Sequence, residues 1–142
     1  MKKGGAIKMK LKRIVTMVTM MLVFMMSLGT IVLAEDIKQV TFKSNDEKTT
    51  AVGTITVDYR TFFKDTGGAA TAIDGDSKVY DRRVFTAIYA LDGSGKIKAY
   101  ESKKTDSYNT VLIQAHCKSF KSQHQILSAS GVPLAKMKTM KM

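Results

Sequence analysis

The stretch Val84-Phe85-Thr86-Ala87-Ile88-Tyr89-Ala90-Leu91, then Asp92-Gly93-Ser94-Gly95, then Lys96-Ile97-Lys98-Ala99-Tyr100, decides the fold. Successive side chains of an extended chain point to opposite faces. Phe85, Ala87, Tyr89 and Leu91 therefore share one face, and Val84, Thr86, Ile88 and Ala90 the other. Both sets are β-branched, aromatic or small, which predicts a long strand from Val79 to Leu91, central in its sheet and covered on both faces. Asp92–Gly95 supplies residues that tolerate positive φ, so the chain turns back into the strand that begins at Ile97.

The same period continues outward. Thr54-Ile55-Thr56-Val57-Asp58-Tyr59 alternates, with Ile55, Val57 and Tyr59 on one side and Thr and Asp on the other. Thr66-Gly67-Gly68, Asp74-Gly75-Asp76-Ser77, Thr105-Asp106-Ser107 and Ser130-Gly131 read as further breaks. Their spacing gives about seven strands and an all-β fold, a small antiparallel β-sandwich. One segment carries two periods. Ile113, Cys117, Phe120, His124 and Leu127 form a helical stripe, while Val111, Ile113, Ala115 and Cys117 alternate. The β-branched start and Ser-rich end favour two strands over residues 111–128, because such residues fit helix interiors poorly.

Composition bounds the rest. The chain has 142 residues, 23 Lys+Arg against 12 Asp+Glu, one Cys, one Pro and no Trp. A single thiol (Cys117) excludes a disulfide-stapled scaffold and a Cys-rich zinc module. The charge of +11 is uneven. Lys2, Lys3, Lys8, Lys10, Lys12 and Arg13 precede any acid, and beyond Ala34 the balance is 17 basic to 12 acidic.

That basic start is followed by 21 uncharged residues, Ile14–Ala34, which end at Val32-Leu33-Ala34 before Glu35-Asp36. A positive region, an apolar run and small residues beside the cut are the parts of a secretory signal peptide. The expectation is a leader over 1–34, helical in the bilayer and cleaved after Ala34, and a single secreted β domain over 35–142. A retained anchor is the alternative, since 21 helical residues would just cross about 30 Å of hydrocarbon. The Lys-rich leader resembles bacterial export signals. No Cys follows the cut and no Leu-Pro-x-Thr-Gly signal closes the chain, so the processed protein is expected in the medium or loosely held on the cell wall.

Candidate chemistry is sparse. His116, Cys117 and His124 are the only soft ligands or nucleophiles, but adjacent His and Cys on a strand face opposite ways. A structural thiol is expected at Cys117, and no metal site at the two histidines. Asp74-Gly75-Asp76-Ser77 fails as a calcium loop, because Lys78 and Phe85 stand where ligands are required. Gly93-Ser94-Gly95-Lys96 lacks the first Gly and the closing Ser or Thr of a phosphate loop. No Gly-x-Ser-x-Gly elbow occurs.

The expectation is therefore no enzyme and no cofactor. Between Val111 and Met142 lie five lysines and no acid: Lys118, Lys121, Lys136, Lys138 and Lys141. They are the candidate binding residues for an anionic partner, a cell-wall polymer or a membrane surface, with no nucleic acid expected. Tyr59, Tyr80, Tyr89, Tyr100 and Tyr108 are expected to rim the core. The leading function is a binding or structural role at the cell surface or in the medium. The alternative is a bacteriocin-like or toxin-like effector acting on another cell's membrane, drawing on Lys136-Met137-Lys138-Thr139-Met140. Nothing in the sequence specifies an oligomeric state.

Overall fold

The computed structural model describes residues 36–75 and 81–142. The leader expected over 1–34, Tyr80 and part of the failed calcium loop (76–80) lie outside the described residues. Eight strands follow in order: β1 Asp36–Lys43, β2 Thr50–Asp58, β3 Asp65–Ile73, β4 Arg82–Leu91, β5 Ile97–Asp106, β6 Tyr108–Ala115, β7 Ser119–Ser128 and β8 Lys138–Lys141. They form two four-stranded antiparallel sheets, β1-β2-β3-β6 (sheet A) and β5-β4-β7-β8 (sheet B). The described residues are an all-β sandwich. The spacing of turn residues gave about seven strands; the count is eight, with β8 lying in the Lys-rich end that carries no strand pattern.

The 111–128 segment is two strands. In β7 the inward row is Phe120, Ser122, His124 and Ile126, a strict period of two that the apparent helical stripe concealed by skipping Ser122. The hairpin after β4 forms as the sequence predicts. Asp92 Oδ1 accepts from the backbone N–H of Ser94 and of Lys96, both at 2.9 Å, and Gly95 takes φ 84°. Ser107 (φ 51°) turns β5 into β6, and Gly131 (φ 87°) turns the chain after β7.

Two expectations need correction. Thr66-Gly67-Gly68 is not a turn but the interior of β3, paired with β2 and β6. Its glycine serves close approach between sheets: a Cβ on Gly67 would stand 2.3 Å from Phe120 Cδ1. Strand β4 is central, between β5 and β7, but no third layer lies over its outward face among the described residues. There Phe85 and Tyr89 are half-buried by their neighbours' side chains alone.

The interior is layered. At one end Ile55, Val57, Ala69, Val111 and Ile113 of sheet A meet Ile88, Ala90 and Phe120 of sheet B. At the other, Phe42 and Ala51 meet Ile126 and Ala135. Between these apolar clusters lies a polar layer of Thr71, Thr86, Asn109, Ser122 and His124, all buried. Its hydrogen bonds run from strand to strand. Asn109 Nδ2 donates to the carbonyls of Val84 and Lys103, both at 3.0 Å, so its Oδ1 accepts from the Thr86 hydroxyl. The Thr86 hydroxyl also meets Thr71 Oγ1 at 2.6 Å, and Thr71 donates to the Phe85 carbonyl at 3.4 Å. The His124 ring closes the layer, with Nδ1 2.7 Å from Thr71 Oγ1 and Nε2 2.8 Å from Ser122 Oγ. Gly53 lies under this ring, where a Cβ would come within 2.6 Å of His124 Cγ.

Candidate functional site

The outward face of sheet B gathers the chemistry that the described surface offers. Residues directly opposite in neighbouring strands share a face, so the register defines rows across the sheet. One row runs Tyr100–Tyr89–Lys121–Lys141 from β5 to β8. The next is Ser102–Ala87–Gln123–Thr139, and the third Lys104–Phe85–Gln125. Aromatic rings therefore sit on β4 and β5, and lysines flank them on both sides.

Contacts within the rows order these side chains. Tyr89 and Tyr100 have ring centroids 4.9 Å apart, tilted by 38°. The Lys121 ammonium lies 4.8 Å from the Tyr89 centroid, and Lys104 lies 5.9 Å from that of Phe85. Ammonium groups over a ring face are attracted by its quadrupole, by about 0.5–1 kcal/mol at exposed sites. The Tyr89 hydroxyl donates to Gln123 Oε1 at 2.8 Å. Burial, then the neighbouring Tyr100, push the Tyr89 phenol above its ordinary value, so it stays neutral. These three rows hold no acid; Asp106 lies in the row beyond Lys104, where it faces Arg83 at 3.4 Å. The face is cationic.

Strand β8 is held against the sandwich from two sides. Phe120 and Met142 exchange backbone hydrogen bonds at 3.0 and 2.9 Å. Lys38, on β1 of the opposite sheet, donates to the Lys141 carbonyl at 2.8 Å. The lysine-bearing edge is therefore fixed in register.

The five lysines singled out by the sequence divide. Lys121 and Lys141 stand in one row on the outward face. Lys138 pairs opposite His124 and so has the inward parity, at the edge of the sheet. Lys136 is exposed in the connection between β7 and β8. Lys118 lies at one end of the sandwich, in an open concavity of about 410 Å³ lined also by Asp65, Asp92, Lys98, His116 and Cys117. A single five-lysine patch does not form, because a period of two and a turn send neighbours to different surfaces. Lys104 was missed. Its signal was its even spacing from Tyr100, on the strand opposite Phe85. The tyrosines also divide. Tyr59 packs on the core beside Phe120, but Tyr100 and Tyr108 are 50% and 44% exposed, not rim residues.

The concavity at the sandwich end does not activate its thiol. Cys117 is half-buried, with Sγ 3.8 Å from Asp65 Oδ2. Burial, followed by the Asp65 charge and the hydrogen bond to it, pushes the thiol up to about 11. The thiolate is the reactive form, so iodoacetamide should alkylate Cys117 slowly at pH 7.5, with the rate climbing until the pH passes about 11. A rate matching free cysteine at pH 7.5, measured by mass spectrometry, would contradict this environment. His116 is exposed and His124 wholly buried, so the two do not share a site. Among the described residues no three His, Cys, Asp or Glu gather as metal ligands. No described helix is long and apolar enough to cross a membrane.

No family model matches the chain, and no curated protein matches it. Among solved structures it is similar to the crystal structure of an endonuclease/exonuclease/phosphatase from Beutenbergia cavernae DSM 12333. That match has 12% identity and a TM-score of 0.44, covering 76% of this chain and 27% of the other. The chain thus spans about a quarter of that protein, and a likeness this distant carries nothing over to fold or activity.

Proposed function

We propose that the protein is an exported, non-enzymatic binding domain that attaches to an anionic polymer of the cell surface through the outward face of sheet B. What carries this reading is the row Tyr100–Tyr89–Lys121–Lys141, with Lys104 over Phe85 beside it. Cations packed on rings are partly desolvated and pre-positioned, so an anion gains charge pairing without first ordering the side chains. The neutral Tyr89 phenol and the pairing of Asp106 with Arg83 leave little on the face to repel an anion.

The membrane-effector alternative draws on Met140 as a source of apolar surface. Met140 instead packs against the larger core cluster, which favours the binding domain. The test is salt-dependent retention on an anionic matrix. Lys121→Glu with Lys141→Glu should lower affinity roughly tenfold, since each exposed charge contact is worth up to about 1 kcal/mol. Lys118→Glu with Lys136→Glu makes the same change in net charge away from the row and should have a much smaller effect. Equal losses from both double variants would mean that net charge, not this face, governs attachment.

A further inference from the structure

We infer that the partner is an acidic polysaccharide, with one sugar ring lying on Tyr100 and adjacent carboxylates meeting Lys121 and Lys141. This rests on the binding role proposed above and adds the class of ligand. Tyr100 is half exposed on an edge strand, and Tyr89 backs it at 4.9 Å. A ring so supported is a rigid, amphipathic platform. Its negative face suits the C–H face of a pyranose, whose hydrogens carry the positive end of the dipole.

The hydrogen-bonding groups fit the same ligand. Tyr89 donates to Gln123 Oε1, which fixes the amide and leaves its Nε2 to donate. Ser102 and Thr139 lie in the Gln123 row and add hydroxyls. Sugar hydroxyls both donate and accept, so they can use the acceptor as well as the donor sides of such groups, whereas phosphate oxygens only accept.

The charges fit as well. From Tyr100 to Lys141 the row crosses three strand spacings, about 14 Å. Lys104 and Lys121 stand two strands and four residues apart, about 16 Å. Lys104 is thus set apart from the directly paired Lys121 and Lys141 by the Phe85 and Tyr89 rings, which suits a polymer that carries uncharged apolar surface between its charges.

The probes are alginate, a polyuronate, and linear polyphosphate at matched total charge and fixed ionic strength, titrated against the whole protein by calorimetry. Alginate should bind at least tenfold more tightly. Tyr100→Ala should cost about tenfold on alginate and nothing on polyphosphate, while Tyr100→Phe keeps the stacking and the affinity. An unchanged melting temperature shows that each variant folds. Equal affinity for the two polymers, or an indifferent Tyr100→Ala, overturns the sugar-stacking assignment while leaving the anionic face standing. No binding to either polymer overturns both.

Discussion

Gly67→Ala is expected to destabilise the protein by about 3 kcal/mol, near the upper end for an overpacked core. The added methyl would stand 2.3, 2.5 and 2.9 Å from Phe120 Cδ1, Cε1 and Cγ. Phe120 cannot swing aside: it is wholly buried, with Tyr59 5.9 Å away on one side and the core cluster around it. Either the sheets part at this layer or the ring leaves its rotamer. Reduced entropy of the unfolded chain returns only about 0.4–1 kcal/mol.

The check is thermal unfolding. For a domain of about 100 residues this loss lowers the melting temperature by about 15 °C. Gly93→Ala is the control, because its Cβ would meet nothing closer than Lys118 Cγ at 3.8 Å. Gly67→Ala combined with Phe120→Leu should lose less than the sum of the two single changes, since the shorter side chain relieves the clash. A Gly67→Ala protein melting within a degree or two of wild type would show that the sheets do not approach so closely.

The second large effect is acid destabilisation through His124. Burial lowers its pKa from 6.5 to about 4, and a hydrogen bond to the Ala70 carbonyl only partly opposes this. The folded protein keeps the ring neutral, while the unfolded chain takes up a proton as the pH falls below 6.5. Stability from this residue is complete above pH 6.5 and is lost progressively down to about pH 4, a loss of about 3 kcal/mol. Asp46, held at about 2 first by the Ser44 hydroxyl and then by the Lys48 amide, releases its share only below its ordinary 3.8. The His124 window therefore lies above that of Asp46.

Urea unfolding at half-unit steps between pH 7.5 and 4 should show the slope. His124→Gln should be less stable at pH 7.5, because the ring's place between Thr71 and Ser122 is only partly filled, yet flat across the same window. A slope that survives His124→Gln would assign it elsewhere.

Much of the sandwich was legible because period two is local. Ile55 with Val57, and Val84 with Ile88, announce their faces within a few residues. Asp92–Gly95 announces its turn because φ and a side-chain acceptor are also local properties. Gly67 was misread for the converse reason. A glycine looks the same whether it frees φ or makes room for Phe120, 53 positions later in the chain. His124 could not be placed either, since the polar layer it joins takes Thr71, Thr86 and Asn109 from three other strands.

The candidate site follows the same division. The sequence by itself determined that the C-terminal third is cationic and that β4 carries rings at Phe85 and Tyr89, since composition and alternation need no partner. Only the tertiary structure decided that Lys121, Lys141 and Lys104 share a surface with those rings while Lys118, Lys136 and Lys138 do not. Strand order and register are set by which faces bury together across the whole sandwich. A shift of one residue in β7 would send Lys121 to the opposite side, and one in β8 would do the same to Lys138 and Lys141.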